Sequence, residues 1–266
     1  MSVSIKTVKT DGFSMDYFTF GNGNKTFVIL PGLSVQSVMG SADLIAQAYD
    51  VIASEFTVYV FDRRNELPDA YSVSDMAHDT AKAFEALGLE DVYLFGASQG
   101  GMIGLTMALE YPSLVAKLML GSSCARITPG QAETIEKWIA LAEQKDGVKL
   151  NLESSKDIYP AEFFEQYKNA LEELGKGITD NDMERFVILA SGTEGFDVTH
   201  RLGEIRCPVF AIGSSDDRVL SGATEELIRM FSDKPDFRYH LYSSYGHAAY
   251  DTAPDYKQRL LAFCNE

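Results

Sequence analysis

The sequence predicts an α/β fold, with a mostly parallel central sheet that one helical segment interrupts. Short apolar runs typical of buried strands alternate with stretches of helical periodicity near both ends of the chain, and this alternation stops between residues 122 and 200. Strands separated by helices are typical of βαβ units, whose strands run parallel. We therefore expect one core domain, built from residues 1–121 and 201–266, with residues 122–200 inserted as a helical cap.

The individual elements follow from periodicity and from the residues at element ends. Alternating polar and apolar residues at 3–9 and 15–20 predict a hairpin. The remaining predicted elements are strands at 27–30, 57–61, 92–95, 115–120, 209–212 and 237–242, and helices at 41–55, 74–87, 99–110, 130–145, 161–174, 180–190, 221–231 and 253–263. Ser41 and Ser74 are the expected N-caps of the first two helices, and Gly88 is expected to end the second.

Composition excludes several classes of protein. The 266 residues are 45% hydrophobic and 23% charged, as in ordinary globular proteins. The formal charge of −16 opposes binding to nucleic acids and anionic membranes, so neither is an expected partner. No apolar run approaches the roughly 18 residues of a membrane span, and the polar N-terminal segment does not resemble a secretory signal, which predicts a cytoplasmic protein. The three cysteines are far apart, which predicts neither disulfides nor a zinc site.

The strongest chemical signal is the segment Gly96-Ala97-Ser98-Gln99-Gly100, which directly follows a predicted strand and precedes a predicted helix. A serine at such a turn sits on a strained backbone, and its hydroxyl faces a cleft. The two glycines avoid collisions that any Cβ would cause where strand and helix pass closely. The start of the helix also leaves the Gln99 N–H free to donate to an oxyanion.

The same glycine-rich letters resemble the cofactor turn of short-chain dehydrogenases. That turn should follow the first strand of the fold, whereas this one follows several. Those enzymes also need a Tyr-x-x-x-Lys pair, and no tyrosine here has a lysine four residues later. A nucleophilic serine is therefore the favoured interpretation.

A serine nucleophile needs a base and a carboxylate that orients the base. Of the four histidines, His247 follows the last predicted strand, at the sheet edge that carries the serine turn, and His200 is a distant second candidate. The carboxylate should follow the strand that ends near Gly213, where Asp216 and Asp217 are both available. A second oxyanion donor is expected from the Leu33 N–H, because Gly32 permits close approach of the backbone after the strand at 27–30.

These motifs together make the chain resemble the α/β-hydrolases, in particular the branch of capped esterases, thioesterases, lactonases, C–C bond hydrolases and cofactor-free haloperoxidases. The resemblance covers nearly the whole chain. It implies Ser98 as nucleophile, His247 as base and Asp216 as acid, preferred over Asp217 by its spacing after the glycine, with Leu33 and Gln99 as oxyanion donors. It also implies that neither a metal nor an organic cofactor is required.

Two positions depart from the family pattern. Pro31-Gly32 replaces the usual His-Gly, and Asp62-Arg63-Arg64-Asn65 replaces Asp-x-Arg-Gly. Neither departure removes a group that the reaction needs, but neither position matches the pattern that would assign the chain to one subfamily.

The function that the resemblance implies is hydrolysis of a small or medium carboxylic ester, thioester or lactone through an acyl-enzyme on Ser98. The cap is expected to form the pocket for this small-molecule substrate, with Trp138, Phe163 and Phe186 as candidate lining residues. Two alternatives remain open: a homologue that binds a small molecule without hydrolysing it, and a C–C bond hydrolase, acyltransferase or peptidase with the same three residues.

Overall fold

A computed structural model describes residues 3–266. Met1 and Ser2, which the expected core domain includes, lie outside the described residues. The strands of the described chain form one sheet and are β1 Ile5–Lys9, β2 Ser14–Phe20, β3 Lys25–Leu30, β4 Phe56–Arg64, β5 Val92–Ala97, β6 Val115–Gly121, β7 Val209–Ser214 and β8 Phe237–Tyr242.

The sheet has the order β1-β2-β4-β3-β5-β6-β7-β8. Strands β1 and β2 form an antiparallel hairpin, β2 pairs antiparallel with β4, and all the other neighbours are parallel. The carboxyl ends of the parallel strands therefore meet at one edge of the sheet. Ligands of open α/β sheets bind at that edge, near the point where the strand order reverses, which here lies beside β3 and β5.

Helices cover both faces of the sheet, and the predicted fold class is confirmed. The α-helices of the described residues are α1 Ala42–Ala48, α2 Asp50–Ala53, α3 Val73–Leu87, α4 Gln99–Glu110, α5 Pro129–Glu143, α6 Gly147–Ile158, α7 Ala161–Lys176, α8 Asp180–Ser191, α9 Ala223–Met230, α10 Ala249–Thr252 and α11 Tyr256–Cys264. On one face α3, α4 and α9 pack against the sheet, and on the other α2 and α11 do so.

The helices α5, α6, α7 and α8 lie between β6 and β7 in the chain. Buried apolar residues of α5, α6 and α8, among them Ile135, Leu150 and Leu189, belong to the same hydrophobic cluster as one face of the sheet. The chain enters and leaves this insertion through two paired segments, because the Ile127 N–H donates to Phe196 O at 2.9 Å and the Val198 N–H to Ala125 O at 2.8 Å. The insertion is thus packed on the sheet domain at its base and through its core.

The structure corrects the predicted start of α3. Ser72, and not Ser74, is the N-cap: its hydroxyl accepts from the Asp75 N–H at 3.1 Å, and the Asp75 carboxylate accepts from the Ser72 N–H at 3.0 Å. This reciprocal pair is a capping box, and it leaves Ser74 in the first turn of the helix. Gly88 ends α3 in a left-handed conformation, as predicted.

Two further elements differ from those that the periodicity of apolar residues predicts. The helix predicted at 41–55 is two short helices, because Tyr49 leaves helical geometry (φ −104°, ψ 18°) and turns its ring into the core. Helix α6 was not predicted, since few of its residues are apolar. In the described part of the chain, no helix combines the length and the apolar character needed to cross a bilayer.

Candidate active site

Ser98 occupies the turn between β5 and α4. Its backbone is left-handed (φ 51°, ψ −120°), a conformation that costs a serine about 1–3 kcal/mol and that surrounding structure must enforce. The enforcing contacts are visible: the Ser98 N–H donates to Gly121 O at 2.7 Å, and the Ser123 hydroxyl donates to Ser98 O at 2.8 Å. The turn is therefore fixed by the last residue of β6 and by the loop that follows it.

Two glycines allow this turn to form. A Cβ on Gly96 would lie 2.2 Å from Gly100 O, and a Cβ on Gly100 would lie 2.0 Å from Leu30 O. Both distances are far below any real carbon–oxygen contact, so only glycine fits at either position. Because β3, β5 and α4 approach so closely, the Ser98 side chain reaches the end of β3.

His247 follows β8 and is buried. Its ring atom Nδ1 lies 2.8 Å from Oδ2 of Asp217. A carboxylate can only accept a hydrogen bond, so this contact places the ring proton on Nδ1 and leaves Nε2 as the acceptor nitrogen.

The structure corrects the choice between the two aspartates, because Asp217 and not Asp216 contacts the histidine. Asp217 is buried, and its Oδ1 accepts from the N–H groups of Val219 at 2.8 Å and Leu220 at 2.9 Å. Asp216 is exposed; its carboxylate accepts from Ser214 Oγ and, at 3.0 Å, from the Gly246 N–H. Asp216 therefore ties the end of β7 to the backbone of the histidine loop.

The preference for Asp216 rested on its spacing after Gly213. In the structure β7 runs through Gly213 to Ser214, and the second aspartate after the strand, Asp217, is the buried one. Burial raises the pKa of the Asp217 carboxyl. The interaction with His247 and the backbone hydrogen bonds outweigh that effect, so the net pKa is lower than its ordinary value.

The two expected oxyanion donors lie beside Ser98. A Cβ built on Gly32 would be 3.2 Å from Ser98 Cβ, so the Gly32–Leu33 backbone passes directly over the serine. Gln99 is the first residue of α4, and the first N–H groups of a helix have no acceptor within it. Both Leu33 and Gln99 border the same cavity as Ser98 and His247.

That cavity is narrow and mostly apolar. Its volume is about 30 Å³. Its lining combines residues of the sheet edge with residues of the insertion: Gly32, Leu33, Ser98, Gln99, Met102, Ile135, Trp138, Ile158, Thr193, Val219, Leu220, His247 and Tyr250. No lysine, arginine, aspartate or glutamate is among them.

Of the three candidate pocket residues, only Trp138 lines the cavity. Its indole N–H donates to Asp157 at 3.0 Å, which fixes the ring. The expectation for the other two is wrong. Phe186 is buried in the core beneath the insertion, and Phe163 lies in an aromatic row, stacked on Tyr159 with ring centroids 4.6 Å apart.

Several lining residues were not expected from the sequence, among them Ile135, Ile158, Thr193 and Tyr250. Apolar residues of an amphipathic helix line a pocket or a core with the same pattern, so no sequence signal distinguishes them. His200 is exposed and does not border the cavity. Among residues 3–266, no group of three or more histidine, cysteine, aspartate or glutamate side chains is arranged to hold a metal ion.

Comparison with known proteins agrees with this architecture. A curated relative from Agrobacterium fabrum, provisionally named carbamate hydrolase RutD, is 29% identical over 238 residues, which are 84% of this chain and 88% of that protein. The α/β hydrolase MGS-M2 from a deep-sea metagenome of the Medee basin superimposes with a TM-score of 0.86 at 19% identity, covering 98% of both chains. The enol-lactonase of Burkholderia xenovorans LB400 gives a TM-score of 0.83 at 18% identity, covering 98% of this chain and all of that one.

The family assignment rests on a direct match to the sequence. The family model described as the alpha/beta hydrolase fold matches residues 25–185, more than half of the chain. The matched segment contains the strand–serine–helix turn and most of the helical insertion. This chain belongs to the α/β-hydrolase family, and it is a hydrolase.

Proposed function

We propose that this hydrolase cleaves a short, uncharged acyl ester, thioester or lactone through an acyl-enzyme on Ser98. One observation carries the proposal. Ser98, on a strained turn, shares a cavity with His247, and the Nδ1 atom of that histidine is hydrogen-bonded to the buried carboxylate of Asp217. A serine becomes a nucleophile when such a base is adjacent and oriented. The roles of nucleophile, base and acid then fall to Ser98, His247 and Asp217.

The reaction follows from these positions. Ser98 Oγ bonds to the acyl carbon while its proton moves to His247 Nε2, and the negative charge on the former carbonyl oxygen is met by the N–H groups of Leu33 and Gln99. The imidazolium, stabilised by Asp217, then gives its proton to the leaving group as the bond to that group breaks. Water repeats the sequence on the acyl-enzyme, with His247 again taking a proton and returning it to Ser98.

The lining of the cavity supports a small and neutral acyl group. With no lysine, arginine, aspartate or glutamate in its lining, the cavity offers nothing to pair with a substrate carboxylate or ammonium. The cavity is small, at about 30 Å³, which favours a short acyl group while the insertion holds its present position. We propose that residues 122–200 act as the cap and limit the length of the acyl chain.

Carbamate hydrolysis is a second candidate, because the curated relative bears that activity in its name. A carbamate presents the same carbonyl to Ser98, and its small amino group meets the same limit of size. A carbamate substrate would therefore use the residues already named. Its carbonyl carbon bears a nitrogen at the position where an ester has the first carbon of the acyl chain.

The test uses p-nitrophenyl acetate, butyrate and octanoate, together with a small alkyl carbamate. We expect kcat/KM to fall from acetate to octanoate, and Ser98→Ala to lose at least about 10⁴-fold of the wild-type rate while remaining folded. Ser74→Ala, at an exposed position of α3, is the matched control and should keep full activity.

A fluorophosphonate probe distinguishes an active hydrolase whose substrate was not among those tested from a homologue that only binds a small molecule. Rapid labelling of Ser98, abolished in Ser98→Ala, supports the proposal even when no tested ester is a good substrate. No labelling of the wild-type chain, together with no turnover, would favour the non-hydrolytic homologue.

A further inference from the structure

A buried arginine lies behind the two proposed oxyanion donors. Arg63, near the end of β4, is 3% exposed. Its Nη2 donates to Pro31 O at 2.8 Å and to Gln99 Oε1 at 3.1 Å. Pro31 precedes the Gly32–Leu33 backbone, so one guanidinium nitrogen contacts both segments that supply an N–H to the oxyanion.

The side chain of Gln99 extends this contact to the insertion. Its Oε1 accepts from Arg63, and its Nε2 donates to Leu189 O of α8 at 2.7 Å. The residue is buried, and the oxygen and the nitrogen of its amide are each hydrogen-bonded. The backbone of Gln99 is thus linked, through its own side chain, to the position of α8.

A second link joins the same strand end to the same helix. Asp62 accepts from the Arg63 N–H at 2.7 Å and from Arg185 Nη2 of α8 at 3.0 Å. Burial lowers the pKa of Arg63 to about 10, with Asp62 opposing the shift, so the guanidinium is charged at neutral pH. A buried charge of this kind holds its partners firmly, because losing any of them leaves it uncompensated.

The neighbouring Arg64 has none of these contacts. It is partly exposed, pairs with Asp79 at 3.4 Å and donates to the carbonyl oxygens of Gly12 and Glu66. The two arginines of the segment Asp62-Arg63-Arg64-Asn65 therefore face different environments, and only the first reaches the serine turn.

We propose that Arg63 is a positioning residue. It holds the Leu33 and Gln99 N–H groups so that both point at the same oxyanion, and it makes their geometry depend on the position of α8. The inference rests on the proposed function. Oxyanion donors work only when both are aimed at the position of the developing charge, and a displacement of about 1 Å can cost about 10²-fold in rate. Arg63 acts through these backbone groups and does not border the cavity.

The experiment compares Arg63→Met with Arg64→Met, its matched control. The first readout is the ratio of kcat/KM for p-nitrophenyl acetate to that for the matching thionoester, whose sulfur accepts hydrogen bonds poorly. Arg63→Met should lower kcat by about 10² with little change in KM, and should lower the ratio, because the thionoester loses less. Arg64→Met should leave kcat and the ratio unchanged.

The second readout is amide hydrogen exchange, which needs no turnover. In Arg63→Met we expect faster exchange in Gly32–Ser34 and in the last turn of α8. Gln99→Met, which keeps the contact from Arg63 to Pro31, should speed exchange in α8 alone. This second variant also serves if Arg63→Met does not fold.

A purely structural role for Arg63 predicts something else: equal losses on the ester and the thionoester, an unchanged ratio and no local change in exchange. That result would overturn the inference. If the wild-type chain turns over no ester and Ser98 is not labelled, the proposed function fails, and the exchange rates alone decide whether Arg63 holds the two segments.

Discussion

The carboxyl of Asp217 is buried against His247 and accepts three hydrogen bonds, whereas Asp216 beside it is exposed. An oriented carboxylate holds the imidazole in the tautomer that can take a proton from a serine. At the scale of the residue, the two aspartates therefore differ in chemistry although they are adjacent in the chain.

Asp217→Asn should lower kcat by about 10³–10⁴-fold, because an amide can hold the histidine in the wrong tautomer. Asp216→Asn is the matched variant: it weakens the bonds to the backbone of the histidine loop and should cost less than about tenfold in kcat. Steady-state kinetics on p-nitrophenyl acetate measure both. Equal losses in the two variants would contradict the assignment.

The lowered pKa of Asp217 also predicts how stability depends on pH. A carboxyl whose pKa is lower in the folded state contributes stability in full above its ordinary value of 3.8 and loses it as pH falls through the lower folded value. The difference in free energy of unfolding between the wild type and Asp217→Asn should therefore be constant near pH 6 and shrink below about pH 4. Urea unfolding at a series of pH values measures this difference. A difference that grows on acidification would contradict the lowered pKa of Asp217.

At the scale of the element, local hydrogen bonds decided the boundaries that periodicity left open. Apolar spacing located α3 and α4 closely, since each has one face or more against the core. It missed α6, where burial of Leu150, Ser154 and Ser155 provides the contact and polar residues take inward positions. Apolar periodicity takes only apolar residues into account, so it does not detect a helix whose inward positions include serines.

The start of α3 provides a direct test of this view. Ser72→Ala should lower the free energy of unfolding by about 1 kcal/mol, because it removes the hydroxyl that accepts from the Asp75 N–H, while the backbone N–H of residue 72 still donates to the Asp75 carboxylate. Ser74→Ala, two residues later in the first turn, should be neutral or slightly stabilising, since alanine has the higher helix propensity. Thermal or urea unfolding of the pair measures the difference, and a larger loss in Ser74→Ala would place the cap where the sequence first suggested it.

At the scale of the whole molecule, the cavity is formed by parts of the chain that are far apart in sequence. Residues that follow β3, β5, β7 and β8 meet α4, α5 and α6 around one small space. Trp138 of α5 contributes the largest side chain from the insertion, and Asp157 holds its ring. The size of this space is therefore set by how the insertion packs on the sheet domain.

Trp138→Leu should raise the ratio of kcat/KM for p-nitrophenyl butyrate to that for the acetate by about tenfold, because it enlarges the cavity by several heavy atoms. Phe186→Leu is the matched control, buried in the same insertion but away from the cavity. Both should lower the free energy of unfolding by about 1–3 kcal/mol, and only the first should change the ratio. A shift in both variants would point to a general loosening of the insertion.

The sequence by itself determined the fold class, the strand–serine–helix turn and the order of serine, carboxylate and histidine, because each depends on local backbone constraints or on which strand end a residue follows. Only the tertiary structure decided which of the two adjacent aspartates faces the histidine, which insertion residues border the cavity, and that Arg63 reaches two strand ends and α8. Those outcomes depend on where a strand stops and on contacts between segments far apart in the chain, and neither leaves a periodic mark on the sequence.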